Sequence, residues 1–146
     1  MDPTVMASIG AAVSIIGSAI SASYAILTCA PALASVTSEK PELGSKLLIA
    51  IILGEALAIY GLLIAFMIIS NLSTITTEEA GLRAILAGIT MGGTAATASV
   101  GISYCGPALM TATVEKPESY TVNILGLVLS EALAIYGLLI AFMLNV

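Results

Sequence analysis

The chain has 146 residues, of which 59% are hydrophobic and 9% are charged, and it contains neither histidine nor tryptophan. This composition lies far outside the range of soluble domains and predicts an integral membrane protein. The four basic residues are scattered singly and the net charge is -5, so we expect no nucleic-acid partner. Because the sequence has no metal-ligand cluster and no phosphate-binding glycine loop, it also predicts no catalytic site, no bound metal and no cofactor.

Four apolar segments are long enough to cross a bilayer core of about 30 Å, which takes about 20 helical residues. They predict helices near residues 4–35, 43–71, 79–112 and 118–145. The first segment is too long for the core of a cleaved secretory signal, and a similar segment recurs later in the chain, so we interpret it as a retained span. The sequence therefore predicts an all-α, multi-pass membrane protein with four transmembrane helices.

The second half of the chain repeats the first half with an offset of 76 residues. Residues 55–67 recur without change as residues 131–143, and the similarity extends to the Glu-Lys-Pro-Glu segment that precedes the second helix of each half. Such internal repetition indicates a duplicated structural unit. We therefore predict two tandem helical hairpins, residues 1–72 and residues 73–146.

The two helices of each hairpin differ in composition. The first and third helices are rich in glycine, alanine, serine and threonine, whereas the second and fourth carry leucine, isoleucine, phenylalanine and methionine. Small residues let helix backbones approach closely in lipid. The pattern fits an assembly of chains into a ring, with the odd helices crowded by neighbours and the even helices facing membrane lipid, and the glutamates described below strengthen that interpretation. The alternative is an ordinary compact bundle.

The basic residues predict the orientation of the chain. Lys40, Lys46 and Lys116 lie on the side of the hairpin tips, and the opposite side has Arg83 alone. Lysine and arginine are more frequent in cytoplasmic loops of membrane proteins. We therefore expect the hairpin tips to face the cytoplasm and both termini to face outward.

Two glutamates, Glu55 and Glu131, lie inside the apolar segments predicted as the second and fourth helices. A charged carboxylate at the centre of a bilayer costs roughly 3 kcal/mol on insertion scales, so we expect each to have a use. In hydrocarbon the neutral acid is favoured, and ionisation becomes favourable where water or a cation reaches the group. We predict that both glutamates bind a transported ion. The alternative is that they only join helices through buried hydrogen bonds.

Tyr60 and Tyr136 follow the two glutamates by five residues, about 140° around the helix. Neither is positioned to bond to the glutamate of its own helix, but each could donate from its hydroxyl to a glutamate on an adjoining helix. Ser21 and Thr97 lie near the midpoints of the first and third helices. Their hydroxyls could complete an ion site, or they could bond to a backbone carbonyl one turn back.

The segments Gly54–Gly61 and Ser130–Gly137 each read as a small residue followed by E-A-L-A-I-Y-G. With the duplicated hairpin, they resemble the proteolipid, or rotor-ring, subunits of V-type and archaeal A-type rotary ATPases. The resemblance implies a homo-oligomeric ring that turns against a stator, with Glu55 and Glu131 binding the transported ion. It also implies a role for the tyrosine of each segment in bonding to the carboxyl. The chain would be a non-catalytic subunit of a larger complex.

The resemblance also implies the partners of the ring. These are a stator membrane subunit that carries an arginine and central-stalk subunits that dock at the cytoplasmic hairpin tips. Many four-helix relatives have lost one glutamate, whereas this chain keeps both, which implies two ion sites per chain and a machine able to make ATP. We expect the membrane to be a prokaryotic plasma membrane.

The transported ion is predicted to be the proton. Sodium-binding members of the family place threonine and glutamine beside the site, whereas here Ala56 and Leu57 follow Glu55, and the whole chain lacks glutamine. A sodium-translocating ring is the less favoured version. Two other functions stay open at this point, a small proton-coupled multidrug exporter and a purely structural proteolipid.

Overall fold

The structure, a computed structural model, describes residues 1–145. Its long helices are α1 (Pro3–Glu39), α2 (Pro41–Ser70), α3 (Glu78–Glu115) and α4 (Pro117–Leu144), and each is long and apolar enough to cross a membrane. No strand occurs in this described range. The predicted all-α architecture with four spans is confirmed. The second predicted hairpin extends to Val146, which lies outside the described residues.

The helix ends at the hairpin tips follow from two Lys-Pro pairs. Lys40 has φ -133° and ψ 77°, and Lys116 has φ -139° and ψ 93°, so neither is helical. The ring of a proline disfavours the helical conformation of the residue before it. Pro41 and Pro117 then open short 3-10 turns, where a proline needs no amide donor. Helix α1 passes through Pro31 and continues to Glu39, past the predicted end near residue 35, because no further proline restricts the backbone until Pro41.

The opposite ends of α1 and α3 are capped by side chains and carry an exposed ion pair between them. Asp2 accepts from a backbone amide of the first turn of α1, and Thr77 does the same for α3, which satisfies amides that have no partner within a helix. The amino group of Met1 lies 2.8 Å from the carboxylate of Glu78. This contact raises the pKa of the exposed amino group.

Helices α1 and α3 cross closely at glycines. A methyl group on Gly10 would overlap the carbonyl oxygen of Ala84, and one on Gly88 would overlap the carbonyl oxygen of Gly10. Farther along, a methyl group on Gly17 would lie 2.9 Å from the Cα of Gly92. Two backbones can touch in this way only when side chains are absent, and van der Waals contact is a main force between helices in lipid. The glycines therefore set the spacing of α1 and α3.

Within each hairpin, the even helix rests on the odd helix through repeat-equivalent contacts. Gly61 of α2 lies against Ser18 of α1, and Gly137 of α4 lies against Thr94 of α3. The hydroxyl of Ser14 also donates to the carbonyl of Gly61 at 3.0 Å. The two hairpins thus share the contact at Gly61 and Gly137, and the bond from Ser14 is added in the first hairpin.

A second contact inside each hairpin has its residue sizes exchanged. In the first hairpin, a methyl group on Gly54 of α2 would lie 3.0 Å from the Cβ of Ala25 of α1. In the second hairpin, Gly101 of α3 makes room for Ser130 of α4. The glycine lies on the even helix in the first hairpin and on the odd helix in the second. The combined volume of the two residues in contact therefore differs little between the hairpins. This exchange preserves the helix spacing beside each glutamate, since Gly54 and Ser130 precede Glu55 and Glu131 directly.

The two hairpin tips lie at the same end of the molecule and contact each other. The ammonium group of Lys40 donates to the carbonyl oxygen of Val114 at 2.6 Å. The ammonium group of Lys46 lies 3.9 Å from the ring centroid of Tyr120, at cation–π distance. Carbonyls in the last turn of a helix have no partner within the helix, so the first contact also satisfies the end of α3. Both contacts join the first hairpin to the second.

The outer surface of α2 and α4 exposes bulky apolar side chains. Phe66 is 67% exposed, Leu129 65% and Met143 63%. An apolar surface of this extent is typical of contact with lipid or with another protein. The even helices therefore form the outer layer of the molecule, and α1 and α3 form its centre.

Candidate functional site

Both glutamates lie at the midpoint of a membrane-length helix. Glu55 is residue 15 of the 30 residues in α2, and Glu131 is residue 15 of the 28 residues in α4. At a rise of 1.5 Å per residue, each lies about 21 Å from the start of its helix at the hairpin tips. The two carboxyl groups are therefore at the same depth.

Glu131 is half-buried and accepts a hydrogen bond from the first hairpin. The hydroxyl of Tyr60, on α2, donates to Oε1 of Glu131, on α4, at 2.7 Å. A tyrosine hydroxyl can donate to a carboxylate or to the carbonyl oxygen of a protonated acid. The bond therefore holds this carboxyl group in both of its protonation states, and it joins the two outer helices at mid-depth.

Glu55 has a different environment, although its flanking sequence is the same. It is exposed and borders a shallow groove on the surface of α1 and α2, together with Ala19, Ser23 and Leu27. Tyr136 is 63% exposed, and within residues 1–145 its hydroxyl donates to no glutamate. One chain thus forms one of the two predicted tyrosine–glutamate pairs and leaves the members of the other pair apart. The roles of these four residues in ion binding stay predictions.

Ser21 and Thr97 are engaged by their own helices. The hydroxyl of Ser21 donates to the carbonyl oxygen of Gly17 at 2.7 Å, and that of Thr97 donates to the carbonyl oxygen of Thr94 at 2.8 Å. Serine and threonine commonly bond in this way within helices. Neither hydroxyl donates to a glutamate, so the structure brings only Tyr60, among the four supporting residues predicted, to a carboxyl group.

Two other serines were missed by the sequence reasoning. Ser23 borders the groove at Glu55, and the chain has a serine at the equivalent position of the second half, Ser99. That coincidence is the signal that could have drawn attention to Ser23. Ser103 is 8% exposed, and its hydroxyl has no partner in the described part of the chain. It is the repeat equivalent of Leu27, so α3 has a hydroxyl where the groove has an apolar side chain.

The hydrogen bond at Glu131 leads to a first prediction. A bond of this kind contributes about 1 kcal/mol, so Tyr60→Phe is expected to free the carboxyl and to speed its labelling by a hydrophobic carbodiimide roughly fivefold. Mass spectrometry of the peptide that contains Glu131 measures the rate. Tyr104→Phe is the control, because Tyr104 lies on α3 and is 74% exposed, and it should leave the rate unchanged. An unchanged rate in Tyr60→Phe would show that the bond does not restrain the carboxyl.

The comparisons with known proteins agree with a chain built from two similar hairpins. The family model for the C subunit of ATP synthase matches residues 9–68 and again residues 85–144, one match in each half. The chain is 31% identical over 137 residues to the 16 kDa proteolipid subunit of the V-type proton ATPase of Nephrops norvegicus, covering 92% of this chain and 86% of that protein.

Two further relatives are similar over nearly the whole chain. The 16 kDa proteolipid subunit of the V-type proton ATPase of Rattus norvegicus is 29% identical over 136 residues, which cover 93% of this chain and 88% of that protein. The corresponding V-type proton ATPase subunit of Candida tropicalis is 28% identical over 138 residues, which cover 94% and 86%. The resemblance inferred from the two Glu-Ala-Leu-Ala segments is thereby confirmed. The chain belongs to the family of ATP synthase C subunits, with one copy of the family unit in each of its two hairpins.

Proposed function

We propose that the chain is a rotor-ring subunit of a membrane rotary ATPase and that it carries protons on Glu55 and Glu131. As a non-catalytic subunit it would contribute no ATP chemistry. The observation that carries the proposal is the position of the two carboxyl groups, one at the midpoint of each outer helix and at equal depth. The relatives named above are subunits of V-type proton ATPases, which supports the proton as the ion.

The mechanism rests on the two protonation states of a carboxyl group. A protonated glutamate is neutral and passes through lipid without the roughly 3 kcal/mol that a charged side chain costs there. At the stator, an aqueous half-channel and the arginine of the stator subunit stabilise the ionised form, and the proton leaves. A second half-channel supplies the next proton. Each carboxyl group therefore reloads before it returns to lipid.

Tyr60 would hold the loaded site closed. Its hydroxyl donates to Glu131 at 2.7 Å, so a polar oxygen that faces lipid keeps a hydrogen-bond partner. An arginine offers charge-assisted bonds to the ionised carboxylate, and such bonds are roughly twice as strong as neutral ones. The arginine would thus displace the tyrosine at the stator, and the tyrosine would recapture the carboxyl afterwards.

The ligands near the glutamates favour a proton over sodium. Hard cations such as calcium and magnesium take six or more oxygen ligands, and we expect sodium likewise to need several. Among residues 1–145, the one hydroxyl that donates to the carboxyl of Glu131 is that of Tyr60, and Ala132 and Leu133 follow Glu131 in the sequence. The hydroxyls of Ser21 and Thr97 are bonded to their own helices. A proton needs the carboxyl group alone.

The proposed function also requires an assembly of several chains with other subunits. Copies of the chain would form a ring in lipid, the stator arginine would pass the outer surface of α2 and α4, and central-stalk subunits would dock at cytoplasmic hairpin tips. Two carboxyl groups per chain raise the number of ions carried per turn, which favours ATP synthesis. The prokaryotic plasma membrane is a prediction from the sequence alone, since the three relatives named above are eukaryotic.

Carbodiimide labelling of the assembled complex tests the ion, and it is the second prediction. Both Glu55 and Glu131 should be labelled, and labelling should slow as the pH rises, because the reagent attacks the protonated acid. Sodium chloride at constant pH should give no more protection than potassium chloride at the same ionic strength. The exposed tip carboxylate of Glu118 serves as a reference in the same sample. Protection by sodium alone would replace the proton with sodium, and absence of labelling at both glutamates would contradict the proposed carrier role.

A further inference from the structure

A cavity of about 500 Å³ lies at the end of the molecule opposite the hairpin tips. It is bounded by the segment that joins the two hairpins, the first turns of α3 and the end of α4, and we call it the loop cavity. Six polar residues line it, namely Asn71, Thr74, Thr77, Glu79, Arg83 and Asn145. Such walls favour a polar ligand, because polar groups removed from water need hydrogen-bond partners.

The loop cavity lies at the depth of lipid headgroups. Leu144 also lines it and follows Glu131 by 13 residues on α4, which is about 20 Å along the helix axis. Half of a bilayer measures about 15 Å to the edge of the hydrocarbon and about 20–22 Å with the headgroups. Because Glu131 is at the midpoint of its span, a membrane centred on the helix midpoints puts its phosphate groups beside the cavity.

One cation and one anion share the loop cavity. Nη2 of Arg83 donates to Oε1 of Glu79 at 2.8 Å, and both side chains are more than half exposed. A guanidinium group has five N–H donors and a carboxylate has two oxygens. Within residues 1–145 this is the one hydrogen bond that either side chain makes. Donors therefore remain on Arg83, and an acceptor remains on Glu79.

Further donors line the same walls. The hydroxyl oxygen of Thr77 accepts from the amide of Ala80 at 3.2 Å, and this bond does not use the hydroxyl hydrogen. Nδ2 of Asn145 is buried and has no partner among residues 1–145. The loop cavity thus has spare donors beside a guanidinium group, which suits the oxygens of a phosphate.

We propose that the loop cavity binds the headgroup of a phospholipid that carries a primary amine, with its phosphate at Arg83 and its ammonium group at Glu79. A guanidinium group matches the geometry of a phosphate, and an ammonium group donates to a carboxylate. The pair of Arg83 and Glu79 is neutral as a whole, so it fits a zwitterion, whereas a simple anion would meet the charge of Glu79. Apolar Ile75 and Leu144 also line the cavity, which suits an amphiphile better than a free phosphate ion.

Native mass spectrometry of the full chain, stripped of lipid in mild detergent, tests the ligand. An ethanolamine phospholipid should bind roughly tenfold tighter than a choline phospholipid, whose nitrogen has no N–H for Glu79, and than a glycerol phospholipid, which has no ammonium group. An excess of inorganic phosphate should not displace it. Equal binding of the three lipids would overturn the site, and a preference for the glycerol lipid or displacement by phosphate would overturn the zwitterion in favour of a simple anion.

Substitutions test the location. Arg83→Gln and Glu79→Gln should each weaken binding of the ethanolamine lipid roughly tenfold, and neither should disturb the fold, because both side chains are more than half exposed. The matched controls are Lys116→Gln and Glu118→Gln, which remove the same charges at the exposed hairpin tips and should leave binding unchanged. Unchanged binding in Arg83→Gln and Glu79→Gln would overturn the site.

The inference stands apart from the proposed function, because it uses neither carboxyl group of the ion sites. A chain that binds the ethanolamine lipid as described, in a complex that does not pump protons, would refute the proposed function alone. A complex that pumps protons, built from a chain without preference among the three lipids, would refute this inference alone.

Discussion

The double variant Glu55→Gln and Glu131→Gln is expected to abolish ATP-driven proton uptake by vesicles that contain the assembled complex. Glutamine has nearly the shape of glutamic acid, so the helices should pack as before, but its amide has no proton to release near neutral pH. We expect the rate to fall to less than about a hundredth of the wild-type rate, because every step of the ring needs a carboxyl that can ionise at the stator. Quenching of a pH-sensitive dye measures the uptake.

The single variants and the controls make this test specific. Each single variant should also stop pumping, since every chain in the ring then brings one inert site to the stator per turn. The controls are Glu42→Gln and Glu118→Gln, a repeat-equivalent pair exposed at the hairpin tips, which should leave pumping unchanged. Continued pumping by the double variant, with the complex intact, would remove both glutamates from the transport path.

Gly88→Ala is expected to destabilise the folded chain by about 2 kcal/mol. The added methyl group would overlap the carbonyl oxygen of Gly10, which is backbone and cannot rotate aside, and overpacking of this kind costs about 1–3 kcal/mol or more. Because this overlap is with backbone, we place the overpacking cost at about 3 kcal/mol. Alanine regains about 1 kcal/mol through its higher helix propensity, which leaves a net loss of about 2 kcal/mol. Unfolding of single dispersed chains in a series of detergent mixtures, followed by circular dichroism, measures the change.

Gly93→Ala is the matched control for this variant, because it lies on the same helix and, within residues 1–145, no atom beyond its own helical turns stands within 4 Å of the added methyl group. It should leave the dispersed chain as stable as before, or more stable by up to about 1 kcal/mol. Equal effects of the two substitutions would contradict a close crossing of α1 and α3 at Gly88.

The fold was largely predictable because its determinants are local. The four spans follow from apolar length, and the two hairpins follow from the repeat. The ends of α1 and α3 were placed a few residues short, since the predicted ends relied on the change in composition. The actual ends depend on Lys40 and Lys116, whose backbones are restricted by the prolines that follow them.

The depth of the site was also predictable, whereas its pairing was not. A constant helical rise puts Glu55 and Glu131 at mid-depth once the spans are known. Which tyrosine meets which glutamate depends on the side of the first hairpin against which the second one packs. The two thirteen-residue segments are identical, so the sequence reads the same for either choice. The bond from Tyr60 to Glu131 resolves it for this chain.

The small polar residues were the least predictable part of the site. A hydroxyl in a helix can donate to its own backbone or reach across to a neighbour, and residue type does not distinguish these outcomes. Ser21 and Thr97 donate to carbonyls of their own helices, whereas Ser14 donates to a carbonyl of α2. The packing of α1 and α3 against their neighbours decides between these two outcomes.

The different surroundings of the two glutamates bear on how the proposed rotor would turn. Tyr60 donates to Glu131, whereas Glu55 is exposed. A closed circle of such chains has a rotational symmetry equal to the number of chains, which is half the number of its carboxyl groups. Successive carboxyl groups would then be non-equivalent by symmetry, so the work of releasing a proton at the stator would alternate between two values, and an elastic stalk would have to smooth the difference between them.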